Sequence, residues 1–119
     1  MKKVLVLGAS FNEKRYSNMA MKKLLKYGHK VMGIGAIAGS LDEAKVFTEP
    51  KTLTGIHTVS VYLNSVNQRS FYDYIIDLNP ERVIFNPGSE NIEFEELLRE
   101  KNIFFEKACT LVMLSLNQF

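Results

Sequence analysis

The feature that most constrains the fold is a regular alternation of short apolar runs with longer amphipathic stretches. The runs are rich in Val, Ile and Leu, and the stretches repeat apolar residues at helical spacing. Strands that alternate with helices form a parallel sheet covered by helices on both faces. The pattern therefore predicts an α/β fold, a Rossmann-like doubly wound parallel sheet of about five strands. The predicted strands are 3–7, 29–34, 57–63, 82–85 and 103–105, with a short extra strand at 46–47.

Capping residues locate the ends of the predicted helices. Ser17 is a natural N-cap for the first helix, and Gly28 is typical of the C′ position that follows a helix end. Asn64-Ser65 is expected to cap the second helix, with Gln68 three residues after Ser65 as in a capping box, and Asn79-Pro80 is expected to end it. The remaining predicted helices are one that starts near Asn91 and a last short one over 110–116.

Length and cysteine content exclude several classes of protein. The chain has 119 residues, which fits a single domain spanning 1–119. No apolar run approaches the roughly 18–20 residues of a membrane span, and the apolar segment after the first three residues is too short for a signal peptide. The single cysteine, Cys109, excludes an internal disulfide framework, and His29 and His57 have no metal-ligand spacing. We therefore expect a cytoplasmic protein without a metal site.

The charge is distributed unevenly along the chain. Residues 1–60 contain ten Lys or Arg and four Asp or Glu, and residues 61–119 contain five and nine. The basic half could bind an anionic ligand, or its cations could simply be solvated. No basic stripe with interleaved aromatic residues occurs, so we expect no nucleic-acid partner and no membrane partner.

The predicted ligand site lies at the carboxyl ends of the strands, where open α/β sheets bind their ligands. The small residues of Gly8-Ala9-Ser10 follow the first strand and allow backbone N–H groups to approach a phosphate at a helix N-terminus. Lys14 and Arg15 add cations, and serine hydroxyls add donors. The alternative is a tight turn with solvated basic residues. The residues expected to bind the ligand are Gly8, Ala9, Ser10, Asn12, Lys14, Arg15, Tyr16, Ser17, Gly33, Gly35, Leu63, Asn64, Asn86, Pro87 and Gly88.

Motifs of several enzyme classes are missing. The first loop lacks the later glycines of G-x-G-x-x-G, and the chain has no P-loop and no G-x-S-x-G elbow. Gly33 and Gly35 stand at the end of the second strand, where NAD enzymes carry an acid; they either leave room for an adenine ring or serve only the turn. Both histidines start strands, at the opposite edge, and Glu90 is the one acid placed at the site. No catalytic residue is therefore predicted.

The first thirty residues resemble the CoA-binding domain family. These are small Rossmann-like proteins similar to the nucleotide-binding domain of the succinyl-CoA synthetase alpha subunit. The resemblance implies binding of coenzyme A without ligase activity, because the histidine-bearing domain of the synthetase is absent. The residues that carry it are Gly8-Ala9-Ser10, Asn12, Lys14 or Arg15, Ser17 and Tyr27-Gly28-His29, with the strand at 56–63 and Ala108-Cys109 as later elements.

The chain departs from the family after the second strand, where the family often has an Asn-Pro pair and this sequence has Gly35-Ala36. In the family, this position bears on how the adenine of the ligand is held. The leading interpretation is a small, non-catalytic protein that binds CoA or acyl-CoA and holds the ADP and pyrophosphate at the first strand–helix loop. The alternative is a small enzyme or redox protein that uses NADP or another nucleotide, because Arg15 could meet a 2′-phosphate. Cys109 is either a buried small hydrophobe or a thiol near the CoA thiol.

Overall fold

The computed structural model describes residues 1–119 and contains one seven-stranded sheet and five α-helices. A 3₁₀ turn at Arg69–Phe71 joins the second helix to the third. The strands are β1 (Lys3–Ala9), β2 (Lys30–Gly35), β3 (Gly39–Leu41), β4 (Ala44–Phe47), β5 (Thr58–Val61), β6 (Arg82–Phe85) and β7 (Phe105–Lys107). The helices are α1 (Tyr16–Lys26), α2 (Ser65–Gln68), α3 (Tyr72–Leu78), α4 (Ile92–Glu100) and α5 (Thr110–Ser115).

The strand order across the sheet is β3-β4-β2-β1-β5-β6-β7. All neighbouring strands are parallel except β3 and β4, which form an antiparallel hairpin. The predicted α/β fold with a parallel sheet is confirmed, but a count of about five strands was too low. The hairpin explains the difference: its first strand, Gly39–Leu41, has no apolar alternation, and its turn depends on Asp42 at φ 52°.

Two apolar clusters cover the two faces of the sheet, because alternate residues of a strand point to opposite sides. Val4 and Val6 of β1 belong to the cluster on one face, and Leu5 and Leu7 belong to the cluster on the other. The first cluster includes Met21 and Leu24 of α1 and Leu114 of α5; the second includes Tyr72 and Ile75 of α3 and Phe94 and Leu98 of α4. Helices therefore pack on both faces, as predicted. None of them combines the length and the apolar character that a membrane span requires.

The chain winds outward in two directions from the centre of the sheet. After β1 it runs through β2 to β4 on one side, and from β5 it continues through β6 to β7 on the other. The helices that follow β1 and β5 lie on opposite faces. The carboxyl ends of β1 and β5 thus mark the point where the strand order reverses, which is where folds of this kind leave a crevice.

The predicted C′ glycine of the first helix and the predicted helix start near Asn91 are both correct. Gly28 has φ 86° and follows Tyr27, the C-cap of α1, so it occupies the predicted C′ position. Asn91 is the N-cap of α4, and its side chain accepts a hydrogen bond from the N–H of Phe94 at 3.1 Å. Both residues act directly on the backbone. Glycine tolerates the positive φ that follows a helix end, and an asparagine side chain accepts a hydrogen bond from a free N–H at a helix start.

The Ser17 cap and the Ser65–Gln68 capping box are wrong, whereas Asn64 of the predicted Asn64-Ser65 cap is correct. Helix α1 begins at Tyr16, its N-cap is Arg15 without a side-chain capping bond, and Ser17 is buried in the first turn. The capping box of Ser65 with Gln68 is also absent. Asn64 alone caps α2, as part of the predicted pair, by accepting a hydrogen bond from the N–H of Asn67 at 2.9 Å. The amide of Gln68 points into the fold, where buried carbonyl groups require a donor.

Candidate functional site

A cleft of about 640 Å³ opens at the carboxyl ends of the strands, where the strand order reverses. Its walls come from the loop between β1 and α1, the ends of β2 and β5, and the start of the α2 segment. This volume lies within the roughly 300–1,000 Å³ of small-molecule sites. Nine of the predicted residues line the cleft: Gly8, Ala9, Ser10, Arg15, Tyr16, Ser17, Gly35, Leu63 and Pro87.

Gly8 allows the ends of β1 and β5 to approach each other closely. Its φ is 97°, a conformation that side chains of L-residues rarely adopt. A Cβ atom at this position would lie 3.2 Å from the backbone nitrogen of Leu63 and 3.2 Å from the carbonyl carbon of Tyr62. The N–H of Tyr62 donates a hydrogen bond to the carbonyl of Leu7 at 2.8 Å, which fixes the two strand ends. Gly8 is therefore both a cleft residue and a packing requirement.

The loop between β1 and α1 is held in shape by its own side chains. The hydroxyl of Ser10 accepts a hydrogen bond from the N–H of Asn12, and the Asn12 side-chain oxygen accepts one from the N–H of Lys14, both at 3.0 Å. The side-chain amide of Asn18, in α1, donates to the carbonyl of Ser10 at 3.0 Å. Asn12 thus forms an Asx turn and does not itself line the cleft. The loop is organised before any ligand binds.

Arg15 is the only charged residue that lines the cleft. Its side chain takes part in no ion pair, and no carboxylate shares the cleft wall with it. Lys14 is exposed beside it but lies outside the lining. A free guanidinium at the start of a helix, where backbone N–H groups also point outward, favours an anionic ligand.

Gly33 and Gly35 serve the packing of β2 against the end of β1. A Cβ at Gly33 would lie 2.6 Å from the Cβ of Ala9 and 3.2 Å from the terminal methyl of Met21, inside the fold. A Cβ at Gly35 would lie 2.1 Å from the carbonyl oxygen of Ala9, at the irregularity in the β1–β2 register. Gly33 is outside the cleft lining and Gly35 is part of it. Close strand contact accounts for both glycines, whereas the prediction left room for an adenine ring as one alternative.

Three further predicted residues lie outside the cleft lining: Asn64, Asn86 and Gly88. The amide nitrogen of Asn86 donates to the hydroxyl of Ser60 and to the carbonyl of Val61, each at 2.9 Å. Its side-chain oxygen accepts a hydrogen bond from the N–H of Thr110 at 2.9 Å. Asn86 is buried and ties β5, β6 and α5 together, so its hydrogen-bonding groups are already engaged.

Sequence reasoning missed the cleft wall formed by α2 and the 3₁₀ turn. Asn67, Ser70 and Phe71 line the cleft at a spacing of three and four residues, which is the spacing of one helix face. Gln68 anchors this wall, because its amide donates at 2.8 Å to the carbonyl groups of Leu63 and Ser89. The helical spacing was visible in the sequence, but its orientation toward the cleft was not. The other lining residues that were missed are Ile34, Ala36, Thr48 and Tyr62.

Residues 2–115 match the sequence model of a family described as CoA binding domain. The chain belongs to the CoA binding domain family. The match covers nearly the whole chain, and it confirms the resemblance that the first loop carries. No curated protein matches the chain.

Solved structures share the fold of this CoA binding domain. A crystal structure described only as that of an uncharacterized protein has a TM-score of 0.95 and 44% identity, with 100% of this chain and 98% of that chain covered. A hypothetical protein from Pyrococcus horikoshii has a TM-score of 0.85 and 20% identity, over 93% of this chain and 80% of that one. A protein from Thermus thermophilus, cell-free ID.343, has a TM-score of 0.83 and 20% identity, over 99% and 90%. The last two similarities concern the fold alone.

The titratable groups of this CoA binding domain lie mostly away from the cleft. Burial raises the pKa of Tyr62 to about 12, so this lining phenol stays protonated at neutral pH. Cys109 is the half-buried N-cap residue of α5 and is outside the lining. His29 and His57 lie at the amino-terminal edge of the sheet, and burial lowers the pKa of each. The His57 ring approaches Glu81 at 3.3 Å, and no group of three or more His, Cys, Asp or Glu residues could hold a metal ion.

Proposed function

We propose that the chain binds coenzyme A or an acyl-CoA in the cleft and performs no chemistry on it. The pyrophosphate would lie against the backbone of Gly8-Ala9-Ser10 at the N-terminus of α1, and Arg15 would meet a phosphate of the ADP moiety. Membership of the CoA binding domain family supports the ligand class. The observation that carries the location is a cleft at the strand-order reversal with a free guanidinium and no carboxylate in its lining.

The loop between β1 and α1 is already ordered in the proposed phosphate site. The Asx turn at Asn12 fixes the path of the loop, so the backbone N–H groups need no reorganisation when a ligand arrives. The hydroxyl of Ser10 is on the same wall and adds a donor. Lys14 lies just outside the lining and contributes to the positive potential rather than a direct contact in this proposal.

A non-catalytic role is proposed because the lining offers no acid–base or nucleophilic pair. No His, Asp, Glu, Lys or Cys is among the sixteen lining residues. Tyr62 is the most buried titratable group there, and its pKa of about 12 makes it a poor base at neutral pH. We further propose that the chain acts as a single domain in a reducing cytoplasm, where the lone thiol of Cys109 would stay unpaired.

Isothermal titration calorimetry and thermal unfolding with CoA and with NADP test this function. CoA should bind and raise the melting temperature, because a ligand present at 100 Kd stabilises the native state by about 2.7 kcal/mol. NADP should bind more weakly. A stronger shift with NADP would favour the alternative, a nucleotide-dependent enzyme, and no binding of CoA at millimolar concentration would refute the proposal.

Arg15→Ala and Lys14→Ala form a matched pair for the position of the phosphates. Charge-assisted hydrogen bonds are worth roughly 1.5–3 kcal/mol, so Arg15→Ala should weaken CoA binding by about tenfold or more. Lys14→Ala removes an equal charge outside the lining and should have a smaller effect. Both side chains are exposed, so the melting temperature without ligand should hardly change. Equal affinities of Arg15→Ala and wild type would move the phosphates to another part of the cleft.

A further inference from the structure

A cluster of basic side chains lies at the amino-terminal edge of the sheet, at the other end of the strands from the cleft. The amino-edge cluster consists of Lys2, His29, His57 and Arg82 with the ring of Phe119. The centroid of the Phe119 ring lies 4.5 Å from Cζ of Arg82, 5.1 Å from the centroid of the His29 ring and 5.5 Å from Nζ of Lys2. Nζ of Lys2 also donates a hydrogen bond to the carbonyl of Phe119. The cluster thus joins the start of β1 to the segment that follows α5.

The backbone of Lys2 fixes the protonation state of His29. The N–H of Lys2 donates a hydrogen bond to Nδ1 of the imidazole at 3.0 Å. Because a backbone N–H can only donate, Nδ1 must present a lone pair, and the imidazole is neutral with its hydrogen on Nε2. An imidazolium carries a hydrogen on both ring nitrogens. Protonation of His29 therefore turns this acceptor into a donor and removes the bond to Lys2.

The charged groups that face His29 are all basic. They are Lys2, the amino group of Met1, Arg82 and, when it is protonated, His57. Burial, and after it these charges, lower the pKa of His29 below the ordinary value of 6.5. Glu106 instead approaches Nη1 of Arg82 at 3.7 Å, and Glu81 approaches Nε2 of His57 at 3.3 Å. A proton on His29 thus gains no carboxylate partner.

His57 is bonded differently, although it lies at the same edge. Its Nδ1 lies 2.7 Å from the hydroxyl of Thr58, which also accepts a hydrogen bond from Nε of Arg82 at 3.1 Å. Burial lowers the pKa of His57, the carboxylate of Glu81 opposes this shift, and the cations of Arg82 and Lys2 add to it. A protonated His57 therefore has an ion-pair partner, which the imidazole bonded to the N–H of Lys2 lacks.

We propose that the amino-edge cluster is a proton-sensitive contact, in which neutral His29 holds the N–H of Lys2 and the ring of Phe119 in place and protonated His29 releases both. The imidazolium faces Lys2 and Arg82 as like charges around the Phe119 ring, and it has lost its bond to the backbone. The carbonyl of Lys2 still accepts a hydrogen bond from the N–H of Lys30 at 3.0 Å, so the change stays at the edge of the sheet. The cleft, at the other end of the strands, keeps its shape.

NMR spectroscopy of the isotope-labelled chain, titrated between about pH 7.5 and 5, tests this proposal. At the upper pH, the imidazole nitrogen shifts should show His29 as neutral with its hydrogen on Nε2. On acidification His29 should titrate with a midpoint below about 6.5, and the Lys2 amide and Phe119 ring signals should shift with the same midpoint. A hydrogen on Nδ1 at neutral pH, or a midpoint of 6.5 or above, would overturn the proposal. Loss of the methyl signals of the core residues Val59 and Val83 with that midpoint would also overturn it, because the change would then be global unfolding.

His29→Asn and His57→Gln form the matched pair of variants. The side-chain oxygen of asparagine lies close to where Nδ1 of histidine lies, accepts a hydrogen bond and does not titrate. In His29→Asn the Lys2 and Phe119 signals should lose their shift over this pH range, and in His57→Gln they should retain it. His29→Gln also cannot be protonated and should lose the shift, whether or not its amide reaches the N–H of Lys2. A shift that persists in both His29 variants, or that disappears in His57→Gln, would assign the proton to another group and overturn the proposal.

Discussion

Replacement of Gly8 by alanine separates two costs that the structure places at one position. Gly8 has φ 97°, and a Cβ would come within 3.2 Å of backbone atoms of Tyr62 and Leu63. The positive φ costs an L-residue roughly 1–2 kcal/mol. Crowding against backbone that cannot rotate away adds roughly 1–3 kcal/mol, as in other overpacked sites. Gly8→Ala should therefore lower the free energy of unfolding by about 2–5 kcal/mol.

Gly28→Ala is the matched control for the backbone strain alone. Gly28 has φ 86°, but a Cβ there meets nothing within 4 Å. Its cost should be only the roughly 1–2 kcal/mol of an L-residue at positive φ. Urea unfolding of both variants, with equal m-values, measures the difference directly. Equal destabilisation of the two variants would refute the crowding at Gly8.

Ligand affinity in the same two variants tests the place of Gly8 in the cleft. The added methyl displaces Leu63, which lines the cleft, and reduces the space beside the loop backbone. Gly8→Ala should therefore weaken CoA binding by about tenfold or more in the folded fraction. Gly28 lies at the far end of α1, outside the lining, so Gly28→Ala should keep its affinity. Preserved affinity in Gly8→Ala would remove Gly8 from the proposed phosphate site.

Three other substitutions or conditions test the surroundings of the cleft. Gln68→Leu leaves two buried carbonyl groups without their donor and should cost roughly 1–3 kcal/mol of stability in urea unfolding; no loss would mean that water replaces the amide. Tyr62→Phe should be neutral or stabilising in the same assay, because the buried Tyr62 hydroxyl makes no hydrogen bond of ordinary geometry, and the nearby hydroxyls of Ser60 and Thr110 already bond each other at 2.8 Å; a clear loss would contradict this. The pKa values of His29 and His57 are lowered in the native state, so the unfolded state binds protons first and stability should fall as the pH drops below about 6.5. The double variant with glutamine at both positions should flatten that decline, and an unchanged slope would assign it to other groups.

The parallel core of the fold was predictable because each of its strands has a local signal. The apolar runs of β1, β2, β5 and β6 stand out from polar flanks, and helical spacing separates them. The hairpin of β3 and β4 was only half predicted, because Gly39–Leu41 pairs through its backbone and has little apolar pattern. The segment 65–78 was predicted as one helix, whereas the structure inserts the 3₁₀ turn Arg69–Phe71. That break follows from tertiary contacts of Gln68 and Phe71, which the local pattern does not contain.

The location of the cleft could also be predicted from the sequence, but the residues that form its walls could be predicted only in part. Chain order places the carboxyl ends of the parallel strands at one edge, and this is enough to find Gly8, Arg15 and Leu63. Chain order is not enough to distinguish a side chain that faces the ligand from one that joins neighbouring strands and helices by hydrogen bonds. Asn86 follows a strand as a ligand residue would, yet all its side-chain hydrogen bonds go to the neighbouring strand and to α5. Phe71 was missed because its position in the cleft wall depends on how α2 and the 3₁₀ turn pack against the sheet.

The distribution of charge explains how a nearly neutral chain can present a positive cleft. The basic half, residues 1–60, supplies β1, α1 and β2, and with them Arg15. Most of the acids follow position 61, and those of α3 and α4 lie on the helices that pack on the opposite face of the sheet from α1. The sheet and its apolar layers therefore separate Arg15 from the acidic helices. At physiological salt, exposed charges are largely screened beyond about 10 Å, and no carboxylate lines the cleft beside the guanidinium. The proposed attraction of the cleft for phosphate therefore depends on Arg15, while the whole molecule stays close to a net charge of +2.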